Sequence, residues 1–297
     1  MGNAMTTGLL MTCVMCYVCQ GLFGKLYAIH FDGQANDATP VYSTLYGLVV
    51  GLGVLAVALG FRLQASSITW TLGLINGAVL FVYNLCIINA SRTGPFGFQS
   101  IFRLFGSVVI PMVFALVFWG ESLSVLRWLG IAVMLASFVL VNADGMVLRD
   151  VKKGYVGWVT LLFFVNGAYA VIMAAQQRLA GPAERNQMIV ITFLSSACIS
   201  LASLLLRRKA DTLHAFRMGR KAWGSALGAG IAAALAVVQL MILIGRVESL
   251  PVFYTVENGL ILVLTIVFSS ILFKEKISRM AAIGIALSVV SLAMLSL

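Results

Sequence analysis

The sequence predicts an all-α integral membrane protein, ten transmembrane helices arranged as two inverted five-helix repeats. Three observations carry that expectation. The chain of 297 residues is 61% apolar and only 10% charged, with a mean hydropathy of +1.02, which lies outside the range of water-soluble domains. Its apolar residues come in runs near twenty residues long with little alternation, the length of a helix crossing a bilayer rather than of a barrel strand. Finally, one stretch occurs twice. Residues 102–141 and 256–295 align without a gap and match at nine of forty positions, among them Glu121/Glu275, Ser124/Ser278 and Gly130-Ile131-Ala132/Gly284-Ile285-Ala286. Each copy reads as an apolar helix, a short polar turn with one glutamate, and a second apolar helix.

Taken in order, the apolar runs place spans at 7–29, 40–61, 69–91, 96–119, 124–143, 155–177, 187–206, 222–245, 251–273 and 279–297. The first run has neither a basic leading segment nor a small-residue cleavage site, so it reads as a retained helix. Connections are short except for 30–39, 144–154 and 207–221, and none has room for a soluble domain. The segment 144–154 is the natural joint, giving a first repeat over 1–147 and a second over 148–297.

The duplication reaches beyond its central block. Arg92 and Arg246 fall at the same offset of 154, each just before a proline-bearing entry at Pro95 or Pro251. In the first helix of each half, Val18–Phe23 resembles Phe164–Tyr169, pairing Gln20 with Asn166 and Gly21 with Gly167. Five is odd, so the second copy must enter the membrane from the opposite side. Inverted repeats of this kind are typical of secondary transporters, whose cargo sites lie near the midplane.

The chain resembles the drug/metabolite transporter superfamily in its ten-helix EamA-type branch. The likeness rests on Pro111 ten residues before Glu121 and on Gly130 nine residues after it. The second copy keeps Glu275 and Gly284 but has Thr265 in place of the proline. This resemblance implies a carrier with cytoplasmic termini. Charge implies the reverse orientation. The odd-numbered connections and their flanks carry fourteen Lys/Arg against five for the even-numbered ones, which by the positive-inside bias puts both termini outside.

The polar groups most costly to bury are the candidate site. Arg103, about seven residues into the fourth span, and Glu257, about six into the ninth, each lie roughly 10 Å past a membrane edge. A charge at that depth costs at least about 2.5–3.5 kcal/mol, so it should be paired or face water. The two are repeat mates, expected to line a central cavity and bind cargo, with Glu257 as a proton-coupling group or the pair as a structural bridge between the halves. Gln20, Asn84, Gln99, Asn166, Tyr169, Gln239, Tyr254 and Asn258 complete a wall of amides and aromatics. Such a wall suits small neutral, zwitterionic or aromatic compounds better than multiply charged phosphates.

Other motifs have plainer readings. Glu121 and Glu275 sit in turns leading into helices, where acidic and hydroxyl groups satisfy free N–H groups. Cys13, Cys16 and Cys19 have metal-like spacing on an apolar helix without convergent ligands, and read as packing. His30 and His214 stand alone in loops. Gly47/Gly51, Gly73/Gly77 and Gly224/Gly228 are small-residue pairs for close helix approach. No phosphate loop, HExxH or GxSxG motif occurs, and no metal or cofactor is expected. The expectation is therefore a monomeric, non-enzymatic secondary transporter in the cytoplasmic membrane, exporting a small organic solute, with the proton as a candidate coupling ion. A passive facilitator and a lipid-modifying membrane enzyme are the alternatives.

Overall fold

A computed structural model describes residues 4–33, 37–94, 96–143, 152–208, 212–273 and 278–296. Pro95, Glu275 and most of the 144–154 joint lie outside the described residues. The helices are α1 (Ala4–His30), α2 (Ala38–Leu59), α3 (Ser67–Thr93), α4 (Phe96–Phe118), α5 (Val125–Val141), α6 (Tyr155–Leu179), α7 (Arg185–Arg208), a single turn α8 (Thr212–Ala215), α9 (Arg220–Ile244), α10 (Leu250–Phe273) and α11 (Arg279–Ser296). Setting α8 aside, the described residues form ten helices, one for each expected span. Eight are long and apolar enough to cross a membrane, whereas α5 and α11 are apolar but shorter. At 17 residues, α5 is about 26 Å long, just under the hydrocarbon thickness. Large apolar side chains stay exposed along these helices, as at Val57, Val125 and Leu206. Lipid, not water, must therefore cover them.

The helices sort into two compact units. The first contains residues 1–7, 86–171 and 246–297, and the second residues 8–85 and 172–245. Each unit draws helices from both halves of the sequence.

In the first unit α5 packs against α11, the helix at the same place in the other sequence repeat. A Cβ added at Gly130 would lie 2.9 Å from Leu295, and one at Gly284 would lie 2.7 Å from Val141. Gly130/Gly284 and Val141/Leu295 are both pairs at the offset of 154, so the contact is reciprocal. Ser291 donates to the Gly130 carbonyl at 2.6 Å, and Ser137 bonds Ser288. Numbers rise along α5 as they fall along α11, so the two helices are antiparallel.

In the second unit α2 and α7 make a comparably close pair. A Cβ at Gly47 would meet the Phe193 carbonyl and Ala197, and one at Gly51 would meet Leu194. A parallel contact joins α3 to α7, where Gly73 faces Ile191 and Gly77 faces Ser195. Small residues let these backbones approach, and that is how apolar helices gain contact in lipid.

Two glutamates between helices act on helix ends, and Glu121 does not act on the end its local sequence suggests. Ser124 caps α5 by accepting from the Arg127 N–H at 3.4 Å, and Ser278 caps α11 in the same way through Ala281 at 3.1 Å. Glu121 instead accepts from the N–H of Leu250, the first residue of α10, at 3.1 Å. Glu184 accepts from the N–H of Ser66, just before α3, and from its hydroxyl at 2.7 Å. Each carboxylate satisfies an N–H at the start of a distant helix, where the dipole also favours negative charge.

Candidate functional site

In the first unit, α4, α6 and α10 are joined pairwise by polar side chains. Asn166 on α6 donates to the Arg103 carbonyl on α4 at 2.7 Å. Ser107 on α4 donates to Asn258 Oδ1 on α10 at 3.1 Å. Tyr254 on α10 donates to the Ala170 carbonyl on α6 at 3.1 Å. Three bonds thus close a triangle of three helices, each made by a residue that apolar surroundings would penalise if left alone. Gln99, 2% exposed, extends this polar line by donating to the Ile87 carbonyl at 2.9 Å. Positions 99, 103 and 107 recur every four residues and share one face of α4.

Pro111 lies inside α4. It has no N–H to give to the carbonyl four residues back, which is that of Ser107. The Ser107 carbonyl therefore lacks the usual N–H partner four residues on, at the level where Ser107 meets Asn258. The single proton of the Ser107 hydroxyl is shared between Asn258 Oδ1 and the Leu104 carbonyl, the latter at 2.8 Å.

Glu257 lies one turn beyond Tyr254 and is 4% exposed. Among the described residues no ion pair engages its carboxylate. Glu257 and Tyr169 both lie close enough to act electrostatically on Tyr254. Arg103 is half-buried on α4 and does not reach Glu257. The register explains why. Leu250 at the start of α10 meets Glu121 beyond the end of α4, and Asn258 meets Ser107 further along, so the two helices are antiparallel. At the Ser107–Asn258 contact, residues on one level have numbers adding to about 365, which sets Arg103 level with position 262. That is five residues past Glu257, or about 7.5 Å along the axis. The ion pair that is the structural alternative for these two residues is absent among the described residues, and the two charges are offset along the helices.

The sequence-selected residues therefore divide. Gln99, Arg103, Asn166, Tyr169, Tyr254, Glu257 and Asn258 belong to the first unit, where helix-to-helix bonds engage Gln99, Arg103, Asn166, Tyr254 and Asn258. Gln20, Asn84 and Gln239 belong to the second. Gln20 donates to the Tyr46 hydroxyl at 2.9 Å, and Gln239 accepts from Thr12 and lies 4.0 Å from the Cys16 sulfur. These are helix-to-helix ties. Asn84 is half-buried on α3. Sequence reasoning missed Ser107, although its four-residue spacing from Arg103 and Gln99 is a readable signal. It also missed Asn76, fully buried in the second unit with both amide atoms unpartnered among the described residues. No cluster of three or more His, Cys, Asp or Glu that could hold a metal ion occurs among the described residues.

No family model matches the chain, and no curated protein matches it. The chain is similar to several solved structures, among them a crystal structure that matches with a TM-score of 0.79 at 16% identity, covering 99% of this chain and 96% of the other. At that identity the likeness shows a shared fold along the whole length. The chain is a multi-pass membrane protein.

Proposed function

We propose that this protein is a secondary transporter of the drug/metabolite type, moving a small neutral, zwitterionic or aromatic solute by alternating access. Glu257 is the observation that carries the reading. A carboxylate 4% exposed, held among three apolar helices without an ion-pair partner among the described residues, costs several kcal/mol if it serves only as packing. It is retained where protonation or a bound solute compensates it. Arg103 stands about 7.5 Å along the axis, and the Asn258 amide, bonded to Ser107, supplies a neutral hydrogen-bonding group between the two levels. A solute with separated donor and acceptor groups suits that spacing.

The inverted-repeat reading is supported by which helices pair. α2 with α7, α4 with α10 and α5 with α11 are each the same helix of the two sequence halves, and each pair runs antiparallel. Alternating access by rocking needs backbone that yields, and the interrupted bonding at Pro111 offers it.

The test has two stages. First, thermal unfolding of the purified protein is followed with amino acids, nucleosides, polyamines and quaternary amines, since a solute that binds the folded state raises the midpoint. A labelled hit is then measured in proteoliposomes by counterflow. Trans-stimulated exchange is the expected result. Flux without trans-stimulation would instead establish a facilitator, and a chemically altered product an enzyme. Glu257→Gln is expected to lower exchange by about tenfold or more while leaving the unfolding midpoint in place. Wild-type exchange by that folded variant would remove Glu257 from the site.

A further inference from the structure

We propose that the end of the second unit built from the α7–α9 connection is a docking surface for anionic phospholipid headgroups. The inference is independent of what the protein transports. Residues 207–221 carry Arg207, Arg208, Lys209, Arg217, Arg220 and Lys221 against one acid, Asp211. The side chains of Arg207, Arg217, Arg220 and Lys221 are exposed. Arg207 ends one candidate span and Arg220 opens the next, so these cations sit at the depth where an apolar helix leaves the hydrocarbon. There a long basic side chain lays its stem on apolar surface and its head among the headgroups.

Two further observations favour lipid over a merely solvated face. The first is what lies beneath the charges. Phe31, Tyr42, Phe216, Met218 and Trp223 pack on a buried cluster that includes Tyr27, Leu204 and Ala222. Tyr27 lies in tilted ring contact with Phe31 and Tyr42, with ring centroids 5.3 and 5.0 Å away. Aromatic rings gathered at the end of a membrane helix are the usual anchor at headgroup level. The second is that the charges do not stabilise the helix that bears them. Arg220 and Lys221 occupy the first turn of α9, which has no acidic residue, and the helix dipole there disfavours cations. Asp32 lies nearby but accepts the Gly219 N–H at 3.4 Å, and Asp37 is buried. Among the described residues no ion pair engages Arg217, Arg220 or Lys221. No described acid compensates them, and anionic headgroups would supply that compensation at the right depth.

The intact protein in a maltoside detergent is titrated with phosphatidylglycerol, phosphatidylcholine or glycerol phosphate while its thermal unfolding is followed. Phosphatidylglycerol is expected to raise the midpoint at mole fractions where phosphatidylcholine does not, and about 0.5 M salt to erase the difference. The triple variant R217Q/R220Q/K221Q should need roughly a hundredfold more phosphatidylglycerol for the same shift, whereas R62Q, in the α2–α3 connection, should respond as wild type. Equal responses to the two lipids, or an unaltered response in the triple variant, would overturn the proposal. So would reproduction of the shift by glycerol phosphate, which would make the surface a soluble-anion site. Should the triple variant not fold, native mass spectrometry of the wild type decides, because absence of phosphatidylglycerol enrichment over phosphatidylcholine on the purified protein sinks the idea equally.

Discussion

Two helix pairs of the first unit join the two similar stretches 102–141 and 256–295, and they differ in opposite ways. Between α5 and α11 the contacts are reciprocal: Gly130 receives Leu295 as Gly284 receives Val141, and buried serines bond across the seam. Between α4 and α10 the mates no longer match. Arg103 stands where α10 has Glu257, Leu104 where it has Asn258, and Pro111 where it has Thr265. The first pair is a seam, in which any departure from small residues is penalised on both sides. The second carries opposite charges, an interrupted helix and side chains that reach a third helix. Symmetry kept marks packing, and symmetry lost marks the groups that the proposed function uses.

The largest stability effect should come from breaking the seam. A Cβ at Gly284 would meet the Val141 backbone nitrogen at 2.8 Å as well as its side chain. Backbone cannot move aside cheaply, so Gly284→Ala is expected to cost about 1–3 kcal/mol of stability. The mate should cost less. At Gly130 the nearest atoms belong to the Leu295 side chain, which can rotate, and alanine regains up to about 1 kcal/mol of helix propensity. Unfolding midpoints of the two variants in one detergent provide the check. A Gly130→Ala loss equal to or above that of Gly284→Ala would show that the two sides of the seam are equally rigid.

A smaller effect is expected where Glu121 holds the start of α10. Removing its carboxylate leaves the Leu250 N–H short of a partner, and losing a capping acceptor costs about 0.5–2 kcal/mol. Glu121→Ala should lower the unfolding midpoint to match, and hydrogen exchange should quicken in the first turn of α10. Quickening confined to the start of α5 would return this glutamate to the helix that follows it in sequence.

That case shows where the sequence stopped being legible. The ten helices, the cap at Ser124, the kink-prone Pro111 and the duplicated block could all be read, because local composition and periodicity determine them. The target of Glu121 could not. Its neighbours, Ser-Leu-Ser, point to the next helix, while its partner lies 129 residues away. Asn76 was passed over for a similar reason, since one amide inside an apolar run has no periodicity to betray its burial. Depth counted from each helix end placed Arg103 and Glu257 near the midplane, but depth does not determine register. The Ser107–Asn258 bond does, and neither partner announces the other.

Register also makes the smallest prediction the sharpest. Were Arg103 and Glu257 in contact, removing one would leave the other charge stranded, and removing both would recover much of the loss. With about 7.5 Å between their levels and other bonds fixing the stagger, each should answer to its own surroundings. The double-mutant cycle of Arg103→Ala and Glu257→Ala should therefore close within about 0.5 kcal/mol, the range found for independent sites. A coupling well above that would mean the charges approach in another state of the protein, by a slide of α4 against α10 that breaks the Ser107–Asn258 bond. Repeating the cycle with bound solute sharpens the comparison further. Coupling that emerges only then would identify the solute as the bridge, and the lost symmetry of this helix pair as the place where it binds.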